Sequence, residues 1–295
     1  MEEERPADEH RLGHAPRGVA LALAAATLFG ATTPAVAMLG RGAGAFSVAA
    51  CLYVGALAMA LVPTRPDGPP LARADVPLLA FVGALGGALA PASLAWGLGR
   101  AGATSGALAL NAEAVFTVLL ARMIHREVIG RRAALAVLFI VASGALLPLR
   151  GPIDLALGAG LGAIVLSTFA WATDSVLSRR FAKRDSREVV RAKSIVGVAL
   201  STTLAFALAQ PWPAWRPALG LAACGVIGYG VSLKLYVLAQ RELGAARTGS
   251  IFGFAPFAGA AIGFALGDRA GVGVLVASAV LGGVGVVILA SERRP

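Results

Sequence analysis

Four ionisable side chains stand where charge is expensive. Glu113, Asp174, Lys193 and Lys234 lie within or at the ends of long runs of Ala, Leu, Val and Gly. A charge at the middle of a bilayer costs about 2.5–3.5 kcal/mol on insertion scales, so each must be paired, neutralised or turned towards a wet cavity. Glu113 is in mid-run, with Asn111 two residues before it and Thr117 one helical turn after it. A carboxyl in that setting points to proton coupling or to recognition of a substrate amine; a hydrogen bond between helices is the structural alternative. Lys234 sits a few residues from the basic end of its run. It suits a substrate carboxylate or Glu113 itself, or its stem snorkels to the interface. Asp174 and Lys193 close adjacent runs on either side of a basic loop. They are expected to form a gate or structural ion pair, because each is far less costly beside the other.

Prolines inside such runs free backbone carbonyls, so Pro34, Pro91 and Pro256 are expected helix breaks facing a cavity. Thr32, Thr33, Trp171, Tyr229, Ser250 and Phe252 are expected to line the path beside them. Other chemistry is missing. His10 and His14 lie in a polar tail with no third ligand, His125 sits in a basic joint, and no metal or other cofactor is expected. No glycine precedes any of the three lysines and no HExxH occurs, which excludes a phosphate-binding loop and a zinc protease site. An enzyme is not expected. Cys51 and Cys224 read as small apolar filler.

The runs themselves are the larger pattern. Residues 18–40, 42–64, 76–99, 133–149, 155–173, 194–215, 248–267 and 270–291 carry no Asp, Glu, Lys or Arg, and 101–121 and 217–240 carry one each. A helix needs about 20 residues to cross the hydrocarbon core. Hydrophobic residues make up 57% of the chain and charged residues 14%, well under the roughly 25% charged of a globular domain. The composition predicts an all-α integral membrane protein of ten transmembrane helices. The net charge of +10 lies in the joints, so it reads as topology rather than nucleic-acid binding. With the N-terminus inside, Lys and Arg divide 20 against 5 between the two sides, Lys234 apart. That bias places both termini in the cytoplasm of a bacterial inner membrane. The polar residues 1–17 are expected to be a cytoplasmic tail and the first run a retained helix.

The chain repeats weakly with a period near 140 residues. ThrLeuPheGlyAlaThrThrPro at 27–34 aligns with SerThrPheAlaTrpAlaThrAsp at 167–174, and AlaGlyAlaThrSerGlyAla at 101–107 with LeuGlyAlaAlaArgThrGly at 243–249. Five runs per half is an odd number, so the second half enters the membrane in the opposite sense. Such inverted repeats are typical of secondary transporters. Gly83 and Gly87, Gly158 and Gly162, and Gly259, Gly263 and Gly267 are spaced to let helices approach closely.

AsnAlaGluAlaValPheThrValLeuLeuAlaArg at 111–122 with Glu127, and LeuGlyAlaAlaArgThrGly at 243–249 followed by AlaProPhe at 255–257, resemble the helix-4 and helix-9 signatures of EamA-domain carriers in the drug/metabolite transporter superfamily. TrpAlaThrAsp at 171–174 with Lys193 resembles one subgroup, although Ser175 and Val176 stand where that subgroup has Asn. The resemblance implies two EamA repeats, 18–149 and 154–291. It further implies a secondary carrier that exports a small amino-acid-like or drug-like metabolite by alternating access. Its partners would be that substrate and membrane lipid; monomer and homodimer are equally compatible. The competing expectation is a non-transporting sensor or assembly protein on the same fold.

Overall fold

A computed structural model describes residues 9–125, 130–150, 154–268 and 271–291. The first eight residues and the joint at Glu127 lie outside the described residues, as do the side chains of His10, His14 and His125. All regular secondary structure among the described residues is helical. Helix α1 (Glu9–Leu39) is followed by α2 (Ala45–Leu61), α3 (Val76–Ala84), α4 (Ala90–Ala101), α5 (Ala103–Ala109), α6 (Ala112–His125) and α7 (Arg131–Leu146). Then come α8 (Leu155–Ser178), α9 (Ser186–Ala207), α10 (Trp215–Cys224), α11 (Ser232–Leu243), α12 (Ala245–Phe252), α13 (Ala255–Ala265) and α14 (Val272–Ser291). A π-helical turn, Leu85–Leu89, joins α3 to α4, and a second, Gly225–Val231, joins α10 to α11.

Among the described residues, seven helical units are long and apolar enough to cross a membrane. Three shorter apolar helices, Ala45–Leu61, Ala134–Leu146 and Val272–Ile288, fall on the second, fifth and tenth of the expected runs. Large side chains such as Val54, Phe81, Leu138 and Val280 point outward, exposed, as a lipid-facing surface requires.

Two glycines turn corners that no other residue takes easily. Gly102, between α4 and α5, has φ 79° and ψ 164°, and Gly244, between α11 and α12, has φ 78° and ψ 162°. That region of backbone space is essentially reserved for glycine. Both lie in the segments 101–107 and 243–249 that align in sequence. The next helices are both interrupted. Between α5 and α6 the amides of Leu110 and Asn111 donate to carbonyls three residues back, Ala107 and Leu108. Between α12 and α13 the chain turns at Gly253 and Phe254 just before Pro256.

Helices meet at backbone contact where glycine allows it. A Cβ on Gly55 of α2 would run into the Ala222 carbonyl, and one on Gly225 into the Leu52 carbonyl. Gly83 packs on Val196 and Gly87 on Gly197, joining α3 and its π turn to α9. Gly259 packs on the Gly30 carbonyl and Gly263 on Thr104. The expectation fails for Gly158, Gly162 and Gly267, which have open space before them. Gly160, on the opposite face of α8, makes the contact instead, with Gly97 and Ala101.

A polar network ties the loops at the basic end. Arg241 Nη2 donates to Asp67 Oδ1 at 2.7 Å and its Nε to the Ala182 carbonyl at 2.7 Å. Asp67 accepts from the Ser186 amide at 2.8 Å and from the Ser186 hydroxyl, while its own amide donates to Asp185 Oδ2 at 2.9 Å. Glu188 Oε2 accepts from the Leu71 amide at 2.8 Å, and Arg184 Nη2 reaches Asp75 Oδ2 at 3.0 Å. The segment before α3, the start of α9 and the end of α11 are thereby joined. Partial burial raises the Asp67 carboxyl, but its hydrogen bonds from Ser186 and Arg241 outweigh this and hold it below the ordinary carboxylate range. A depressed folded-state value gives stability that is present above the unfolded value of about 4 and is lost as pH falls through the folded one. In acid titrations of the thermal midpoint, Asp67→Asn is therefore expected to flatten the decline below about pH 4. An unchanged slope would remove Asp67 from the acid response.

Candidate functional site

The π turn before α4 creates the centre of the site. Its widened bonding gives the Ala90 amide to the Leu85 carbonyl. The Gly86 carbonyl thus loses the donor four residues on, and the donor five residues on would be Pro91, which has no N–H. That orphaned acceptor is met by two side chains, the Tyr53 hydroxyl at 2.6 Å and Trp171 Nε1 at 3.1 Å. The absence of a side chain on Gly86 also admits Asp174, whose carboxylate a Cβ there would strike.

Asp174 on α8 is 6% exposed and Lys193 on α9 is 3% exposed. Lys193 Nζ donates to both carboxylate oxygens, at 2.6 and 2.7 Å, and Ser178 Oγ adds a third bond at 2.8 Å. Each buried charge is matched by the other, so neither is left to a ligand.

Beside this pair the aromatic rings close on one another. Phe29 stands edge-on to Trp171 at 5.3 Å and to Tyr229 at 5.6 Å, and Tyr53 meets Tyr229 at 5.7 Å. Phe252 joins Phe29 at 5.5 Å and Tyr236 at 5.1 Å. These rings, with Glu113, Asp174, Ser178, Lys193 and Gln240, line a cavity of about 80 Å³, room for roughly five waters. It runs from the aromatic cluster to the level of Phe181 and Gln240, beneath the polar network at the basic end.

A second cavity of about 20 Å³ adjoins it, sharing Phe29, Glu113 and Phe252. Asn111, Thr117, Gly249, Gly253 and Pro256 also line it, with Leu110, Ala114 and Ala255. Glu113 thus faces both spaces. Among the described residues no cation and no hydrogen-bond donor meets its carboxylate.

Of the sequence-derived candidates, the structure gathers Glu113, Trp171, Asp174, Lys193, Tyr229 and Phe252 around the larger cavity and Asn111 beside Glu113. Lys234 is not there. It follows Leu233 on α11, turned about 100° away from that cavity-lining side chain by helical geometry, and meets no carboxylate among the described residues. Ser250 is half-buried on α12 outside both cavity walls. Thr32 and Thr33 are buried against Gly228 and Gly259 of neighbouring helical segments, and Thr32 Oγ1 donates to the Phe29 carbonyl of its own helix at 2.8 Å. Of the three prolines, Pro256 follows a break and Pro91 follows the π turn. Pro34 makes no break: α1 continues through it, and the Gly30 carbonyl that would have accepted from residue 34 faces Gly259 of α13. A neighbouring helix that close lets a membrane helix tolerate proline.

Sequence reasoning passed over Phe29, Tyr53, Ser178, Tyr236 and Gln240. One signal was present: the chain has three tyrosines, and Tyr53, Tyr229 and Tyr236 all line the larger cavity.

Comparison with known proteins places this arrangement. Residues 16–148 match the model of the EamA-like transporter family. An uncharacterized transporter of Methanothermobacter thermautotrophicus is 29% identical over 201 residues, covering 65% of this chain and 58% of that protein. The chain thus spans under two thirds of that curated relative. A protein crystal structure with 20% sequence identity superposes with a TM-score of 0.66 over 95% of this chain and 98% of the other, so the fold is shared. With its apolar helical units, this is a multi-pass membrane protein. Residues 16–148 are thus similar to the EamA-like transporter family, which belongs to the drug/metabolite transporter superfamily.

Proposed function

We propose that the chain is a ten-span secondary transporter of a bacterial inner membrane, exporting a small amino-acid-like or drug-like metabolite by alternating access. Both termini are cytoplasmic in this reading, and residues 18–149 and 154–291 are inverted five-helix repeats. The paired features support the repeats: the π turns Leu85–Leu89 and Gly225–Val231, the corner glycines Gly102 and Gly244, and the interruptions before Ala112 and Ala255. Packing supports them too, since α1 lies on α11 as α8 lies on α4, while α2 meets α9 and α7 meets α14.

The observation that carries the transport reading is the larger cavity. A scaffold protein has no need of a space walled by seven aromatic residues, an ion pair and a carboxylate without a partner. The rings would hold an apolar or aromatic substrate body, and Glu113 is the group through which movement is coupled. The Asp174–Lys193 pair holds α8 against α9 as these walls move.

Reconstituted vesicles loaded with amino acids, nucleosides, sugars or cationic drugs test this. A wild-type substrate should emerge, and Glu113→Gln should lower its rate about tenfold or more, since a hydrogen bond to a charged group is worth about 1.5–3 kcal/mol. A Gln variant that folds and transports normally removes Glu113 from the mechanism. If wild type moves no compound, while binding none in thermal unfolding, the transport reading falls.

A further inference from the structure

Resting on that transporter reading, we propose that the smaller cavity is a sodium site, formed where the two interrupted helices meet and built on Asn111, Glu113 and Thr117. The side chain of Asn111 is 2% exposed, and neither its amide oxygen nor its amide nitrogen has a hydrogen-bond partner. A buried polar group left so costs about 1–3 kcal/mol, which an occupant at its oxygen would recover. The cavity it lines, about 20 Å³, is the size of one water-sized occupant.

The donor set is oxygen throughout. Asn111 supplies an amide oxygen, Glu113 a carboxylate and Thr117 a hydroxyl, all from one interrupted helix. The other contributes main chain: Pro256 has no N–H, so the Phe252 carbonyl at the end of α12 lacks its usual partner four residues on. Hard oxygen ligands select hard cations, and unwound carbonyls at half-helix ends are the usual coupling-ion ligands of transporters.

Charge and size choose among such cations. One carboxylate balances one positive charge; a divalent ion would leave a buried charge uncompensated, which is costly. The nearby lysine that could neutralise Glu113 is Lys193, and Asp174 already holds it. A water-sized space fits a small dehydrated monovalent ion and excludes an organic ammonium.

Thermal unfolding of the purified full chain in detergent, without substrate, tests the site. Sodium, lithium, potassium and choline chlorides are titrated at equal ionic strength and at two pH values. Sodium should raise the midpoint saturably by several degrees, and choline and potassium should not. Asn111→Ala and the near-isosteric Thr117→Val should each move the sodium curve to higher concentration, and Glu113→Gln should abolish it. If Asn111→Ala fails to fold, Thr117→Val carries the comparison. An equal response to choline, a response that follows protons in place of sodium, or a wild-type sodium curve in Thr117→Val overturns the proposal. Failure here is separable from failure of the transporter reading. Efflux undiminished in sodium-free vesicles sinks the coupling role and leaves transport standing. A sodium shift in a protein that moves no substrate keeps the site and sinks transport.

Discussion

Asp174→Leu alone is expected to destabilise the protein by about 3–5 kcal/mol, because it leaves the Lys193 ammonium buried with no counter-charge. Lys193 is 3% exposed and makes its two strongest bonds to Asp174, with only Ser178 Oγ at 3.3 Å remaining. Lys193→Met alone should cost a comparable amount, since it strands the carboxylate against Gly86. The double variant should be far milder than the sum. Apolar groups of similar volume in place of a buried pair are often neutral, and residues in contact couple rather than add. Thermal unfolding of the four proteins in detergent forms the cycle. Strictly additive losses would show that the pair does not act as a unit. The same cycle read by transport separates a lock from a substrate contact: a lock recovers activity in the double variant along with stability.

Gly225→Val and Gly55→Val should be nearly as damaging, at about 3 kcal/mol each, near the upper end for overpacking. At both positions the obstacle is backbone. The added Cβ meets the Leu52 carbonyl in one case and the Ala222 carbonyl in the other. A flexible side chain could swing away, but a helical carbonyl moves only with its helix, so α2 must separate from α10 and the π turn beside it. Gly158→Val is the internal control, since nothing lies within 4 Å of the added atom. Unfolding midpoints that fall equally at Gly158 and Gly225 would contradict the contact. The effect should also reach the site, because Tyr53 on α2 and Tyr229 in the π turn face each other across this seam.

The positions of the apolar helical units were legible in the sequence because lipid imposes a one-dimensional rule. A crossing helix cannot carry unpaired charge, so a stretch such as 155–173 announces itself. The charge-free run 194–215, by contrast, is displaced from its helix, Ser186–Ala207, which begins among charged residues and ends before the run does. Glu113, Asp174 and Lys193 were legible for the same reason, as exceptions to it. The corner glycines 102 and 244 were visible as aligned letters, although not as corners. Composition could not say which polar groups meet. Lys193 and Lys234 are both cations at the edge of or within an apolar run, yet the packing of α9 puts Lys193 in the cavity wall and that of α11 leaves Lys234 outside it. Glycine spacing suggested the face of α8 bearing Gly158 and Gly162, whereas the approach of α4 selected Gly160. The hub at Gly86 was the least legible. It exists because a π turn withdraws one amide, Pro91 withholds the next, and Tyr53 and Trp171 arrive from two other helices. Membrane insertion is decided residue by residue along the chain, so sequence alone carried it. Satisfaction of a freed carbonyl or a buried charge depends on partners tens of residues away, and only the packing of the helices decided that.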